Sequence, residues 1–383
     1  MTKAVYIHIP FCTNKCYYCD FNSYVTKNPQ LVWDYLAALN KEMEKTVRRF
    51  PPGEIQTIFV GGGTPTFLDA KQMEYFLETV ARHFPQRSAE IEFTMEANPG
   101  TTDVEKLSIM KAGGVNRISF GVQSFDDELL KKIGRIHDSA QVFRSLENAK
   151  KIGFENLSID LIFGLPDQTV ARFQETLDQA FALDLPHFSS YSLKVEENTL
   201  FHTLYEKDQL PLPTEDEEVA MYERLMEQME RHGYRQYEIS NFARPGFESR
   251  HNMTYWRNDY YYGIGAGAHG YVNGTRHVNA GPLAQYMQLA EKDLPRVEQF
   301  AVTRMEAMED HMIMGLRMMQ GVSASDFSER YGTTLQAQFC PVIDELVELG
   351  LLAWTQNRLH LTKRGVPLGN EVFARFLGLV DKV

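Results

Sequence analysis

Residues 5–21 read VYIHIPFCTNKCYYCDF. A short apolar run gives way to Cys12, Cys16 and Cys19, three of the chain's four cysteines within eight positions. A stretch rich in Asn, Lys and Tyr is a poor hydrophobic core, so these thiols are not incidental packing. Three is the wrong count for a disulfide framework, and a reducing compartment would oppose one. A structural zinc site takes four protein ligands, and neither a second CxxC nor an HxxxH lies near. Three thiolates suit an iron–sulfur cube with one iron left open to another ligand. Cys340, in LQAQFCPVIDEL, stands apart and is expected to be a buried apolar residue of a helix.

Composition narrows the setting. The chain has 383 residues, enough for one large and one smaller domain. Hydrophobic residues at 43% and charged residues at 23% fit an ordinary globular protein. A formal net charge of −12 argues against a surface built for nucleic acid. No apolar run reaches membrane-span length, and MTKAVYIHIPFC lacks a signal-peptide h-region, so a cytoplasmic protein is expected.

Outward from the cysteines, apolar runs alternate with amphipathic helical stretches. VYIHI (5–9), TIFVGGG (57–63), EIEFTMEA (90–97), RISFGVQSF (117–125), NLSIDLIFGLP (156–166) and HFSSYSLKV (187–195) each precede a helical pattern. YRQYEIS (234–240) offers one more strand. Strand, crossover helix and strand at roughly 30–45-residue spacing argue for parallel α/β, either doubly wound or a barrel. Both place sites at the carboxyl ends of strands. Residues 244–299 are aromatic, Gly-rich and aperiodic, and are expected to form a long ordered connecting loop. From about 300 the pattern is helical again, and LLAWTQNRLHLT reads as a hairpin around a polar turn. This predicts a small helical, winged-helix-like domain over 300–383, following a barrel over 1–243. The Met-rich MIMGLRMM is expected to be core rather than a partner surface.

Polar residues mark the strand ends. GGGTPT (61–66) ends the second strand, and its glycines would let backbone amides approach a ligand. Glu96, Gln123, Arg135 and Asp160 lie at or just after the next three strands. Such groups can meet an ammonium, a carboxylate and a ribose.

CxxxCxxC after a first strand, with Tyr18 before the third cysteine, resembles the radical S-adenosylmethionine (SAM) signature. The resemblance implies a 4Fe–4S cluster on Cys12, Cys16 and Cys19, with SAM chelating the open iron and accepting an electron from it. It also implies a partial (β/α)6 TIM-like barrel. DLIFGLPDQT and GVQSF are similar to the oxygen-independent coproporphyrinogen III oxidase family over residues 1 to about 240. By that likeness Tyr6, Tyr18, Gly62, Gly63, Thr64, Glu96, Gln123, Arg135 and Asp160 would surround SAM. Oxidases of the family carry a further cysteine two places past the third ligand, where this chain has Phe21, and an N-terminal extension it lacks. Both departures point to the heme chaperone subfamily, HemW, and away from the alternative of porphyrinogen decarboxylation. HNMTYW (251–256) agrees, since it matches that subfamily's HNxxYW element. His251 offers an imidazole to heme iron, with Tyr255 and Trp256 as flat faces; His269 in GAGAHG competes as ligand.

The resemblance further implies a heme acceptor protein as partner, such as a hemoprotein of the respiratory chain. No nucleic acid or transmembrane segment is expected. Peripheral membrane contact, SAM cleavage, and monomer against dimer stay open. No catalytic residue is assigned.

Overall fold

The structure, a computed structural model, describes residues 1–378. Six parallel strands form the partial barrel: β1 (Ala4–Ile9), β2 (Ile55–Gly62), β3 (Arg87–Ala97), β4 (Arg117–Gln123), β5 (Asn156–Phe163) and β6 (His187–Ser192). The crossovers carry α1 (Pro29–Arg49), α2 (Ala70–His83), α3 (Val104–Ala112), α4 (Asp127–Lys132), α5 (Ser139–Lys151) and α6 (Val170–Ala182). Beyond β6 come α7 (Leu200–Tyr205) and α8 (Glu215–Arg231).

Local chemistry sets these elements. Val5, Ile7 and Ile9 of β1 are fully buried with Tyr35, Leu36, Leu39 and Met43 of α1, whose apolar residues recur at helical spacing. Burying each such side chain is worth about 1.5–3 kcal/mol. Asn28 caps α1 by accepting from the Gln30 amide, and Pro29 occupies the first turn, where no N–H is needed. Asp69 and Gln72 form a reciprocal capping box on α2. The alternate residues of β1, Tyr6 and His8, face the barrel interior, where their side chains meet each other.

Beyond β6 the sheet continues antiparallel through β7 (Arg235–Glu238) and β8 (Asn241–Ala243), which pair as β6-β8-β7. Residues 244–299 are not a loop. They hold α9 (Arg250–Trp256), β9 (Tyr261–Ile264), β10 (His269–Val272), β11 (Thr275–Asn279), α10 (Leu283–Lys292) and β12 (Arg296–Ala301). β9 pairs parallel with β1, so Ala4 sits against Tyr261 and Ile7 against Ile264. The sheet thus runs β12-β11-β10-β9-β1-β2-β3-β4-β5-β6-β8-β7, with twelve strands. These strands are too short, and their aromatics too closely set, to show a period in the sequence.

The C-terminal part has its own core, built on Met308, Met312, Phe327, Phe339, Ile343 and Leu359. It contains α11 (Arg304–Gly315), β13 (Val322–Ser323), α12 (Ala324–Tyr331), α13 (Leu335–Glu348), β14 (Leu352–Thr355), β15 (Arg358–Leu361) and α14 (Gly369–Ala374). The β14–β15 hairpin turns through Gln356 and Asn357, at φ 48° and 71°, the left-handed pair a two-residue turn requires. The Met-rich stretch is core at Met312 and Met318. Cys340 departs from expectation: it is half-buried on α13, and its thiol donates to Asp344 Oδ2 at 3.0 Å. This part meets the barrel where Ile239 N–H donates to Arg317 O and Met319 N–H to Tyr237 O. Among the described residues no helix is long and apolar enough to cross a membrane.

Candidate functional site

The three cysteines leave β1 through the two-residue strand Phe11–Cys12, which pairs with Tyr24–Val25. All three are free and half-buried. Their loop is pinned from outside: Tyr17 N–H donates to Ile133 O, Asn14 Nδ2 to Gly134 O, and Phe201 N–H to Tyr17 O. Tyr18 packs on the apolar cluster of Leu129, Leu130, Ile133, Ile162, Leu165 and Phe201, which ties the loop to α4 and β5. Burial pushes the Cys19 thiol up to about 11 and also raises Cys12, with charge on Cys16 adding in both cases. The thiols therefore lie within electrostatic reach of one another, in a setting that disfavours free thiolates. Among the described residues no three His, Cys, Asp or Glu side chains are grouped to hold a single metal ion. Three unpaired soft donors on one pinned loop fit a cluster that takes up their charge.

Three polar side chains link two of these sulfurs. Thr64 Oγ1 lies 3.5 Å from Cys12 Sγ and accepts from Asn98 Nδ2 at 2.8 Å. Asn98 Oδ1 accepts from Arg135 Nη2 at 2.7 Å, and Arg135 Nη1 reaches Cys16 Sγ at 3.5 Å. Arg135 also donates to Gly121 O. Gln123 ends β4 at φ 69°, after a register shift against β5. That strained turn brings its Nε2 to the Gly121 side of the same group.

The glycines behave differently from expectation. The amide of Gly62 donates to Glu96 Oε2 at 3.1 Å, that of Gly63 to Ile9 O, and that of Thr64 to Phe11 O. These amides are engaged within the protein and are not open to an incoming ligand. A Cβ at Gly63 would lie 2.7 Å from Phe11 O and 2.8 Å from Ile9 O. Gly63 lets the cysteine-bearing backbone cross this strand end.

Inside the barrel mouth two carboxyls sit close. Burial, and then the neighbouring Asp160, push Glu96 up to about 8. Burial also raises Asp160, against hydrogen bonds from Ser189 and Ser119. Arg117, only 2% exposed, lies deeper and its charge favours ionisation of both. Tyr6 Oη is 2.8 Å from His8 Nδ1, and His8 Nε2 is 2.8 Å from Asn22 O.

Tyr6, His8, Phe21, Asn22, Gly62 and Glu96 line a cavity of about 420 Å³ together with Tyr255, Tyr261, Gly267, Ala268 and His269. The HNxxYW side chains do not gather there as a group. His251 has no exposed surface. Its Nδ1 is 2.9 Å from Thr57 Oγ1, its Nε2 is 2.8 Å from Tyr255 Oη, and its ring stacks on Phe59. Burial, then the charge of Arg117, lower it to about 3, so it is neutral. Both ring nitrogens being engaged, His251 is a latch and is not presented to iron. Trp256 points toward the C-terminal part, with the Arg317 guanidinium 4.6 Å above its ring. Tyr255 alone of the three reaches the cavity; His269, exposed at the start of β10, lines it.

Reading strand ends from the sequence missed Asn98, Arg117, His8 and Asn22. Asn98 follows Glu96 by two residues, the period that keeps side chains on one face, and could have been found by it.

Sequence comparison places this geometry. A sequence model of the radical SAM superfamily matches residues 6–180, and one of the HemN C-terminal domain matches residues 302–368. The chain is 49% identical to the heme chaperone HemW of Bacillus subtilis, over 98% of this chain and 99% of that protein. The chain belongs to the HemW family. Within it, the HemW of Lactococcus lactis is 41% identical over 98% of this chain and 97% of its own length. The Escherichia coli HemW is 34% identical over 98% of both. Among solved structures the coproporphyrinogen III oxidase HemN of Escherichia coli, described as a radical SAM enzyme, superposes with a TM-score of 0.85 at 25% identity. That match covers 97% of this chain and 89% of the oxidase. The chain therefore has the radical SAM fold, followed by a region that matches the HemN C-terminal domain.

Proposed function

We propose that this chain is a heme chaperone that holds a 4Fe–4S cluster and SAM beside its cargo and hands heme to an acceptor protein. One observation carries the reading. The cavity that adjoins the cysteine loop is walled by Tyr6, Phe21, Tyr255 and Tyr261 and has an exposed histidine, His269, at its rim. Aromatic walls suit a flat apolar macrocycle, and an unengaged imidazole suits its iron.

Cys12, Cys16 and Cys19 would hold the cluster, which when bound supplies an electron at low potential. Glu96, pushed up to about 8 by burial, accepts from or donates to an amino-acid head group, while Arg135, whose Nη atoms already reach Cys16, Asn98 and Gly121, offers its positive charge to a carboxylate. Asp160 and Gln123 flank them. The cargo is bound and released rather than transformed, so no group in the cavity is required to act as a base. The names of the HemW relatives support this reading, and so does Phe21, which stands in the cavity wall where an oxidase of the resembled family has a cysteine.

The test is an anaerobic titration of the reconstituted protein with heme, followed by its Soret absorption. The parent chain and His251→Ala should bind with a histidine-ligated spectrum, and His269→Ala should lose that signature. Absence of any Soret change in the parent chain overturns the reading. Protoporphyrinogen formed from coproporphyrinogen III, SAM and reductant would favour the oxidase instead.

A further inference from the structure

The cysteine loop and the cavity wall opposite it are joined through the side chains of Asn22 and Tyr24. Residues 265–281 form a hairpin, β10 and β11, turning through Asn273 and Gly274 at φ 50° and 75°. His269 is the first residue of β10. Asn22, three residues past Cys19, sits at its base. Its Nδ2 donates to Ala266 O and to Gly281 O, each at 3.0 Å, so that one amide group grips both the entering and the leaving chain. Tyr24 Oη donates to Gly281 O at 3.1 Å beside it. The Asn22 carbonyl meets His8 Nε2, which fixes the loop to β1. The fit is close: a Cβ on Gly267, already at φ 74°, would stand 2.7 Å from Asn22 Nδ2.

The rear of the same base is held independently. Glu42 of α1 accepts from Gly265 N–H at 2.8 Å, from Asn279 Nδ2 at 2.6 Å and from Tyr286 Oη at 2.5 Å. Tyr35 Oη accepts from Ala266 N–H and donates to His8 O. These rear ties come from a long, well-capped helix. The front tie comes from a loop whose anchorage changes when three sulfurs bond to a cluster.

We propose that Asn22 is a positioning residue that couples the cluster loop to the His269 hairpin, so that cluster assembly tightens the cargo-binding wall. A coupling free energy is reciprocal, so cargo on the hairpin would equally favour the ordered cluster loop. The inference deepens the chaperone reading by naming how its site is regulated. The heme arm of its test rests on that reading as a whole, and the exchange arm on its cluster alone.

The test is hydrogen–deuterium exchange by mass spectrometry on heme-free protein, with and without reconstituted cluster, with iron and sulfide measured on each sample. In the parent chain, loading the cluster should slow exchange at 265–268 and 280–281 by about tenfold, the scale of one or two hydrogen bonds. In Asn22→Ala, and in Asn22→Asp, which keeps the size but loses the amide donor, exchange there should be the same with and without cluster. No response in the parent, or an undiminished response in either variant, overturns the proposal. So does loss of the cluster from both variants, since that would make Asn22 a requirement of assembly rather than a link. In the heme arm, cluster loading should tighten heme binding in the parent and leave it unchanged in Asn22→Ala. Should no sample bind heme, the exchange arm still decides the coupling and the failure falls on the chaperone reading alone.

Discussion

Replacing His251 with alanine separates a latch from a ligand. The imidazole joins the buried Thr57 of β2 to Tyr255 of α9, which is half-buried and lines the cavity. Its removal leaves both hydroxyls without that partner, at about 1–3 kcal/mol for the buried one and about 1 kcal/mol for Tyr255. It also deletes the stack on Phe59 and the edge contact with Tyr255, at 5.3 and 5.0 Å between centroids, worth about 1 kcal/mol more. We expect a loss of about 4 kcal/mol. For 383 residues unfolding with about 2 cal/mol/K each, that lowers the melting temperature by about 5 °C. The assay is thermal denaturation of heme-free protein by circular dichroism, paired with heme titration. His251→Gln, which can restore one of the two hydrogen bonds, should recover part of the loss. A heme-free His251→Ala that melts with the parent chain, yet loses the histidine-ligated heme spectrum, would refute the latch.

Glu42 should give the fold a pH dependence. Burial holds its carboxyl at about 7 in the folded chain against an ordinary 4.5, with Tyr286, Gly265 N–H and Asn279 facing it and Arg296 nearby. Between those values the folded state keeps a proton that the unfolded state gives up, so this contribution is full below about 4.5 and falls by about 3 kcal/mol as pH rises to 7. Urea denaturation across that range should show the decline, and Glu42→Gln should flatten it. Gly63→Ala pushes a methyl into Phe11 O and Ile9 O and should reduce iron incorporation, with the sheet intact by circular dichroism. Asn98→Ala frees Thr64 and Arg135 and should weaken SAM binding to cluster-loaded protein about tenfold by calorimetry. Cys16→Ala should abolish the cluster's visible absorption, whereas Cys340→Ala, on α13 in the C-terminal part, should leave it unchanged.

The parallel barrel was legible because most of its strands are short apolar-rich runs, each followed by a helical pattern, as burial on both faces requires. The cysteine loop was legible because Cys12, Cys16 and Cys19 fall within eight positions, so their spacing is visible in the chain itself. Strand periodicity put Glu96 and Asp160 at the barrel mouth, and it would have added Asn98. The Asn273–Gly274 turn between β10 and β11 was also a readable hairpin signal, left inside a stretch taken for a loop.

Other features have no local signature. Whether His251 meets iron or Thr57 depends on where α9 lands against β2, 194 positions away in the chain. The pairing of β9 with β1 closes the cavity from the far end of the barrel sequence, and Asn22 acquires its partners, Ala266 and Gly281, only through that pairing. Sequence alone determined the barrel's elements and the donor atoms, because both follow from the period and chemistry of neighbouring residues. Only the tertiary structure decided which donors are free, because a buried polar group must find its partner wherever packing brings one.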